Sequence, residues 1–477
     1  MSRILVANPP TERHPGRFFR PVRFPTYQYA TPVMHPPLYL LSAATALRDL
    51  GGHAVSFVDA QAPGLTVAAF LRRAQALRPE LAVLETCLAS FSGDVAVAAA
   101  LRRTTGCRVI LCGPQLGMPE IARAMLAHPD VDALVLGEYE MSLLELVASG
   151  LAAGVPGTAV RGAGGEAVLG PKRPRLRELD LLPDPDQRWL DHAAYYDPLL
   201  RNPFAFFLSA RGCPHGCVFC SWPQTFSGRA HRTRSPRRVA EDIARTLAAA
   251  PRLRSFLFND DTFTVERRHC LAVCEELRAC GVRTPWGCYT RADFDDLEVL
   301  RALRSAGCRL LKVGVESSDA GVQLQAGKRC DIPRARRAIA LMKELGFRVH
   351  ATFAFGLPGE TRATIAASVR WVCAVDPHSV QFSAAVPYPG TAFHDYLARG
   401  GHLLPHSWDD LTPLRPVYRY PDLAPDELAR AVPAAYRRFY LRPRAVARLL
   451  ARLAAEPGRI PGLVSRSARL LADRGRA

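Results

Sequence analysis

The sequence has no run of the roughly 18 apolar residues that a membrane-spanning helix needs, and no charged-then-apolar signal pattern follows Met1. We therefore expect a soluble, cytoplasmic protein. Acidic residues are scarce, with 44 Asp and Glu against 62 Lys and Arg, which gives a net charge of +18. Because the sequence also lacks a recognisable nucleic-acid-binding module, we interpret this charge as a solvated basic surface and expect no nucleic-acid partner.

The number and spacing of the cysteines do not indicate a disulfide framework. The 13 cysteines are odd in number and are scattered apart from one cluster. In a reducing compartment this usage indicates free thiols and one metal site. The 477 residues suffice for two or three domains, and the balance of 48% hydrophobic and 22% charged residues is typical of a globular protein rather than a disordered one.

A nicotinamide-binding fingerprint is the third absence, since no G-x-G-x-x-G follows the first apolar run. Residues 1–165 nevertheless alternate short apolar runs with helical patterns, which predicts a doubly wound (Rossmann-like) α/β domain with a ligand at the carboxyl ends of its strands. The predicted strands are 4–10, 54–60, 81–86, 108–114 and 132–138.

The rest of the chain divides into three predicted regions. Residues 166–200 are rich in proline and read as a linker, and residues 396–477 read as a helical, Arg-rich C-terminal region. Between them, residues 201–395 resume the alternation, which predicts a partial (β/α)6 TIM-type barrel with its chemistry on the loops after the strands. The predicted barrel strands are 204–210, 255–260, 287–292, 310–317, 350–356 and 379–385.

The tract RGCPHGCVFC places Cys213, Cys217 and Cys220 in a C-x3-C-x2-C pattern directly after the first predicted barrel strand. Three thiolates can hold three irons of a 4Fe–4S cluster and leave the fourth iron open. A structural zinc ion has four ligands, so zinc would need a remote fourth one such as His215 or His231. Three unrelated buried thiols are the other alternative.

This loop, with an aromatic residue before its last cysteine, resembles that of the radical S-adenosylmethionine (radical SAM) superfamily. The tracts CSWPQTFSG, FNDDTFT, KVGVESSD, FAFGLPGET and AAVPYPGT resemble its cobalamin-binding branch, and most of all the enzymes of hopanoid biosynthesis and secondary metabolism. The resemblance implies that Cys213, Cys217 and Cys220 bind a 4Fe–4S cluster whose open iron binds S-adenosylmethionine. It assigns no catalytic residue beyond the cluster.

The resemblance also implies a binding site for S-adenosylmethionine at the ends of the later barrel strands. Asp260 or Asp261 would meet its amino group, although these acids also suit the cap of a turn. Arg291 would bind the methionyl carboxylate, with an ion pair to Asp293 or Asp295 as the alternative. Glu316 would accept hydrogen bonds from the ribose hydroxyls, and Gly356, Pro358 and Gly359 would form a turn beside the adenine.

For the N-terminal domain the resemblance implies cobalamin over the carboxyl edge of the sheet. The D-x-H-x-x-G loop that supplies a histidine below the cobalt is missing, so we expect either cobalamin bound without a protein histidine or a domain that only packs against the barrel. The residues predicted to bind cobalamin are Pro10, Thr86, Gly113, Gly117, Gly137 and Glu138.

Three functions follow as hypotheses. The first is a cobalamin-dependent radical SAM enzyme that generates a 5′-deoxyadenosyl radical and methylates an unactivated carbon of a biosynthetic intermediate. The second is a radical rearrangement, ring contraction or cyclisation of a sugar- or cyclitol-like head group, with no methyl group in the product. The third is a non-catalytic iron–sulfur or cobalamin sensor.

The expected partners are a small-molecule or lipid-linked substrate and an electron donor such as flavodoxin or ferredoxin. The basic C-terminal segment offers two interpretations. It packs across the barrel as a helical cap, which the interrupting prolines favour, or it contacts an anionic membrane at the periphery.

Overall fold

In the computed structural model, residues 1–11, 18–19, 26–27 and 33–455 are described, and both predicted α/β regions are present. The first is a sheet of seven strands in the order β2-β1-β3-β4-β5-β6-β7, of which the first five are parallel and the last two antiparallel. Its strands are β1 Arg3–Asn8, β2 Ala54–Asp59, β3 Leu81–Glu85, β4 Arg108–Gly113, β5 Ala133–Leu136, β6 Thr158–Arg161 and β7 Ala167–Leu169. The order 2-1-3-4-5 of the parallel strands is that of a flavodoxin-like sheet, whose ligands bind where the order reverses.

The second sheet has six parallel strands paired in chain order, which confirms the predicted partial barrel. Its strands are β8 Phe204–Phe207, β9 Ser255–Phe258, β10 Trp286–Arg291, β11 Cys308–Glu316, β12 Arg348–Phe355 and β13 Ser379–Ala384. Two-residue strands pair separately, at Phe18–Phe19 with Thr26–Tyr27 and at Ala210–Arg211 with Arg232–Thr233. The domain boundaries themselves stay a prediction, and β7 lies inside the stretch interpreted as a linker.

The helices cover both sheets. They are α1 Leu38–Asp49, α2 Val67–Leu77, α3 Phe91–Thr105, α4 Pro119–Leu126, α5 Tyr139–Ala148, α6 Pro236–Ala249, α7 Arg267–Ala279, α8 Leu297–Ser305, α9 Ala320–Gln325, α10 Ile332–Glu344, α11 Arg362–Val375, α12 Ala392–Arg399, α13 Pro425–Tyr440 and α14 Pro443–Ala455. Ser235 precedes α6, but its side chain makes no capping hydrogen bond. None of the helices in the described residues is both long and apolar enough to cross a membrane.

The two faces of the barrel strands have different environments because side chains alternate along a strand. Phe207 and Phe258 belong to the cluster packed under the barrel helices. Phe206 and Leu257 point into the barrel, where they pack with α1 and the first sheet. Ten of the twelve residues of α1 are buried, so this helix is enclosed between the two sheets rather than lying at the surface.

The C-terminal helix α13 closes the exposed edge of the last barrel strand. The Val380 amide donates to the Tyr440 hydroxyl at 3.0 Å, and that hydroxyl donates to the Val380 carbonyl at 3.1 Å. The Phe382 amide donates to the Tyr436 hydroxyl at 3.1 Å. These contacts protect a strand edge and agree with the interpretation of this segment as a cap over the barrel. The predicted membrane contact involves residues 456–477 as well, which lie outside the described residues.

Candidate functional site

The cysteine loop leaves the carboxyl end of β8, as the sequence predicts for the first barrel strand. Cys213 is buried, and Cys217 and Cys220 are half-buried. Gly212 has φ = +93°, and a Cβ there would overlap the carbonyl oxygen of Ala230. The Cys213 amide donates to the Gly228 carbonyl at 3.1 Å. The loop is therefore folded tightly against residues 228–230.

Gln224 holds the other end of the loop, and sequence reasoning did not identify it. Its Nε2 lies 2.7 Å from the carbonyl oxygen of Cys220 and 3.0 Å from that of Val218. Its Oε1 accepts from the Ala392 amide at 2.9 Å, at the first residue of α12. Gln224 lies in a π-helical turn, a form that often occurs at functional sites. One side chain therefore ties the cysteine loop to the last barrel loop.

The donor set of the loop is three thiols, whereas a structural zinc ion has four ligands. A cube instead takes one thiolate at each of three corners. Burial and the neighbouring cations Arg291 and Lys328 lower the pKa of His215 to about 4, so its imidazole is neutral at pH 7.

The predicted acids Asp260 and Asp261 lie beneath the cysteine loop. Asp260 accepts from the Ser209 amide at 2.7 Å and from the Ser209 hydroxyl at 2.5 Å, and burial raises the pKa of its carboxyl to about 7. Asp261 accepts from the Gly212 amide at 2.8 Å and from the Ser227 hydroxyl at 2.7 Å. These contacts position the start and the end of the loop. Contact with an amino group of S-adenosylmethionine stays a prediction.

Arg291 makes the structural ion pair that the sequence left as its alternative role. Its guanidinium binds Asp293 through two hydrogen bonds, of 2.9 and 2.8 Å. It also donates to the carbonyl oxygens of Lys328 and Arg329, each at 3.1 Å. Arg291 therefore fixes the turn that follows α9. Its predicted contact with the methionyl carboxylate is not tested by this arrangement.

Glu316 ends β11 in a left-handed conformation with φ = +69°, which is rare for a residue other than glycine and frequent at functional sites. Its Oε1 lies 3.4 Å from Nζ of Lys328. Burial raises the pKa of Glu316, and Lys328 opposes this shift. Sequence reasoning missed Lys328. The tract AGK was the available signal, since Gly327 lets this turn pack against the backbone of Gly216 in the cysteine loop.

The GLPGE turn after β12 is fixed by contacts within the protein. Gly356 and Gly359 have φ values of +85° and +79°. A Cβ on Gly356 would overlap the Tyr418 hydroxyl, and one on Gly359 would overlap the Gln325 amide. The Glu360 carboxylate accepts from the Gly356 amide at 2.6 Å, and burial raises the pKa of its carboxyl to about 8. The predicted role of Gly356, Pro358 and Gly359 beside adenine stays a prediction.

The carboxyl edge of the N-terminal sheet carries hydroxyl and amide groups beside the buried carboxyls of Glu85 and Asp94. The Thr86 hydroxyl donates to the buried carboxylate of Asp94 at 2.7 Å. Gln115 is 1% exposed, yet neither of its amide atoms has a hydrogen-bond partner among the described residues. A buried amide without a partner is costly, so this loop has a free donor and acceptor for a ligand. A Cβ on the predicted residue Gly117 would meet open space.

Glu138, predicted to bind cobalamin, instead contacts the cysteine-loop region. It accepts two hydrogen bonds from Arg232, of 2.7 and 3.0 Å. Glu140, one residue beyond Tyr139, accepts from Arg211 at 2.6 Å, and both partners are buried. This ion-pair clamp, made of Glu138, Glu140, Arg211 and Arg232, holds the end of β5 against the cysteine loop. That Glu138, Pro10 and Gly137 bind cobalamin stays a prediction.

The carboxyl edges of the two sheets face one another across the YPGT tract after β13. A Cβ on Gly390 would overlap the Met118 sulfur, which belongs to the loop after β4. Tyr388 belongs to the cluster packed against the first sheet, with its ring near Cys87. Residues 388–391 therefore lie between the cysteine loop and the edge predicted for cobalamin.

The interior of the barrel has a polar side, which the sequence pattern did not reveal. Tyr289, Lys312, His350 and Ser379 occupy paired positions on β10 to β13 and face away from the outer helices. Lys312 binds the buried carboxylate of Asp197 at 3.0 Å. Phe382, on the other face of β13, packs outward against Tyr436.

Comparison with known proteins matches residues 207–372 to the family described as the Radical SAM superfamily. An uncharacterized methyltransferase from Pyrococcus horikoshii is 28% identical, over 86% of this chain and 88% of its own. An anaerobic magnesium-protoporphyrin IX monomethyl ester cyclase from Cereibacter sphaeroides is 27% identical, over 85% and 67%. Hopanoid C-3 methylase from Methylococcus capsulatus is 29% identical, over 74% and 67%.

The solved structures give the same fold. The radical S-adenosylmethionine methyltransferase TsrM from Kitasatospora setae, with cobalamin and a [4Fe-4S] cluster bound, superposes with a TM-score of 0.65 at 20% identity, over 84% of this chain and 75% of that one. The matched segment begins on β8 and includes the cysteine loop and the strand ends around it. Residues 207–372 therefore match the radical SAM superfamily in sequence, and the strands of this segment have the arrangement of a partial barrel.

Proposed function

We propose that this protein is a cobalamin-dependent radical SAM methyltransferase that acts on an unactivated carbon of a biosynthetic intermediate. The observation that carries the proposal is the position of the cysteine loop, at the carboxyl end of the first strand of a six-stranded parallel barrel and facing the ligand-binding edge of a flavodoxin-like sheet. Relatives named as methyltransferases and a methylase over most of the chain support it.

Two groups are implied at the barrel edge, and the residues fit them. Cys213, Cys217 and Cys220 would bind a 4Fe–4S cluster, and the acid-and-cation surface formed by Glu316, Lys328 and the residues around them suits the zwitterionic S-adenosylmethionine. When bound, these groups supply a one-electron reductant and a 5′-deoxyadenosyl radical. The protein's part is to hold that chemistry in a buried site, which Gln224, Asp260 and Asp261 do by fixing both ends of the loop.

Cobalamin would lie over the other edge, where it supplies a methyl group. The rim of a corrin ring carries amide side chains, and Gln115 offers a buried amide donor and acceptor without a protein partner among the described residues. The ion-pair clamp holds the cysteine loop against this edge, so the two groups would be bound close together. The substrate would lie between them, against residues 388–391 and the polar side of the barrel interior.

The test is anaerobic reconstitution with iron, sulfide and hydroxocobalamin, followed by addition of S-adenosylmethionine and a reductant. We expect 5′-deoxyadenosine and S-adenosylhomocysteine, both absent from the Cys213→Ala/Cys217→Ala/Cys220→Ala variant. A product heavier than substrate by one CH2 supports methylation. A product without that gain would contradict it and favour rearrangement or cyclisation, while formation of neither nucleoside would favour a sensor.

A further inference from the structure

A shallow basic groove lies on the outer side of the cysteine loop. Its wall is formed by Lys172, Arg173, Pro174 and Arg175 from one segment and by residues 228–230 from another. Lys172 and Arg229 are exposed, and Arg175 is half-buried with its side chain laid over Gly228. Arg173 pairs with Glu145 at 2.5 Å. Among the described residues, no ion pair neutralises Lys172, Arg175 or Arg229, so the groove has a net positive charge.

This basic groove shares its wall with the cysteine loop itself. The Gly228 carbonyl accepts from the amide of Cys213, a predicted cluster ligand. The Arg229 guanidinium donates to the carbonyl oxygen of His215 at 2.6 Å. Pro214 and Gly216 on the same loop are exposed. A protein seated on the groove would therefore be one layer of backbone away from the cluster site.

The proposed function requires an electron donor to approach the cluster from the protein surface. Each turnover needs one electron at the cluster, and the residues that flank S-adenosylmethionine and cobalamin occupy the inner side of the loop. The outer side is the exposed approach. A surface with unpaired cations attracts a partner of opposite charge and speeds encounter with it. An acidic protein that carries one electron at low potential has both the negative charge that this groove attracts and the electron that the cluster needs.

We propose that the basic groove is the docking surface for an acidic, low-potential flavin or iron–sulfur protein that reduces the cluster. This inference rests on the proposed function. In the transfer, the carrier loses one electron and the cluster passes from the [4Fe–4S]2+ to the [4Fe–4S]+ state, while no bond forms or breaks and no proton moves. Lys172 acts in docking alone, whereas Arg229 also holds the cysteine loop through the carbonyl oxygen of His215.

The experiment compares two reductants on the reconstituted protein by anaerobic stopped-flow absorbance of the cluster. Flavodoxin hydroquinone is the acidic protein probe, and dithionite is the small one. The variant is Lys172→Glu, because Arg229 also holds the cysteine loop through the carbonyl oxygen of His215. The matched control is Arg252→Glu, an exposed arginine before β9 at the opposite end of the barrel. A Lys172→Gln variant tests the loss of charge without its reversal.

We expect the second-order rate with flavodoxin to fall about tenfold or more in the Glu variant, with a shallower dependence on salt, and less in the Gln variant. The dithionite rate and iron content should match those of the unchanged protein, and the control should behave as the unchanged protein with both reductants. Sedimentation of the apoprotein with flavodoxin should show weaker association in the same order, independently of turnover.

Three results would overturn the inference. An unchanged flavodoxin rate would show that docking occurs elsewhere. An equal fall with both reductants would show damage to the loop instead of to docking. Suppression by inorganic phosphate, but not by chloride at equal ionic strength, would assign the groove to a small anion. Failure of the unchanged protein to form 5′-deoxyadenosine with dithionite would instead refute the proposed function, so the two failures are distinguishable.

Discussion

The two parallel sheets present their carboxyl edges to each other, and the edges differ in chemistry. The barrel edge carries ion pairs, of Arg291 with Asp293 and of Lys328 with Glu316. The edge of the first sheet has buried carboxyls, at Glu85 and Asp94, and it also offers hydroxyl and amide groups, as at Thr86 and Gln115. A zwitterionic cofactor needs charges of both signs, whereas an amide-rimmed ring needs neutral donors and acceptors. We therefore expect S-adenosylmethionine at the barrel edge and cobalamin at the edge of the first sheet, and each prediction below tests this assignment.

The largest effect is expected at the cysteine loop. Cys217→Ala should remove most of the iron from the reconstituted protein, because a cube held by two thiolates has lost a third of its protein ligands. Hydroxocobalamin binding should stay unchanged. Iron analysis and the visible spectrum measure both, with Cys280→Ala, a half-buried cysteine after α7, as control. Loss of cobalamin binding together with iron would contradict the assignment of the two groups to separate edges.

The ion-pair clamp joins the two edges, and its removal should cost the most stability. Glu140→Gln removes the nearer carboxylate of the buried Arg211 guanidinium and leaves only Glu138, at 3.7 Å, so we expect a loss of about 3 kcal/mol in the free energy of unfolding. Glu145→Gln on the same helix is the control, because its partner Arg173 is near the surface and such pairs contribute about 1 kcal/mol or less. Urea unfolding compares them, and equal losses would contradict the role of the clamp.

Glu316 tests the barrel edge without touching the loop. Glu316→Gln removes the carboxylate facing Lys328 and a charged acceptor, so the affinity for S-adenosylmethionine should fall about tenfold or more. Iron content and cobalamin binding should not change. Titration calorimetry on the reconstituted protein gives the affinity, with the exposed Glu298→Gln as control. An unchanged affinity would remove Glu316 from the site.

Gln115 tests the edge of the first sheet, where the expected effect is smallest. Gln115→Leu removes a buried amide that has no partner among the described residues, so the apoprotein should be unchanged or more stable by about 1 kcal/mol. The affinity for hydroxocobalamin should fall several-fold, measured by absorbance titration. Gln75→Leu on the exposed side of α2 is the control. A less stable apoprotein with unchanged cobalamin affinity would contradict the assignment.

Sequence patterns predicted the architecture well because it depends on local periodicity. All the strands predicted from short apolar runs are present in the two sheets, and their parallel pairing follows from the helix between each pair. The sequence missed β6 and β7, since antiparallel edge strands of three or four residues give too short a pattern. Ser235 shows the same limit, because a capping residue type does not ensure the hydrogen bond.

The sequence predicted the site only where a motif indicates a particular chemistry. The spacing of three cysteines after a strand is such a motif, and it located the loop. Gln224 and Lys328 belong to no motif, because their roles come from contacts made on folding, with Ala392 far along the chain in one case and with Glu316 across α9 in the other. Glu138 was assigned to the ligand edge by its place in the sequence, whereas its contact with Arg232 depends on how the sheets meet.

The sequence by itself determined that a three-thiol loop follows the first strand of a βα series, since ligand spacing and apolar periodicity are local properties of the chain. Only the tertiary structure decided which acids pair with which cations, that the two ligand edges face each other, and that Lys172 and Arg229 form a basic groove outside the loop. Those outcomes depend on distances between residues far apart in sequence, and ionic and hydrogen-bonding interactions are set by such distances and by burial.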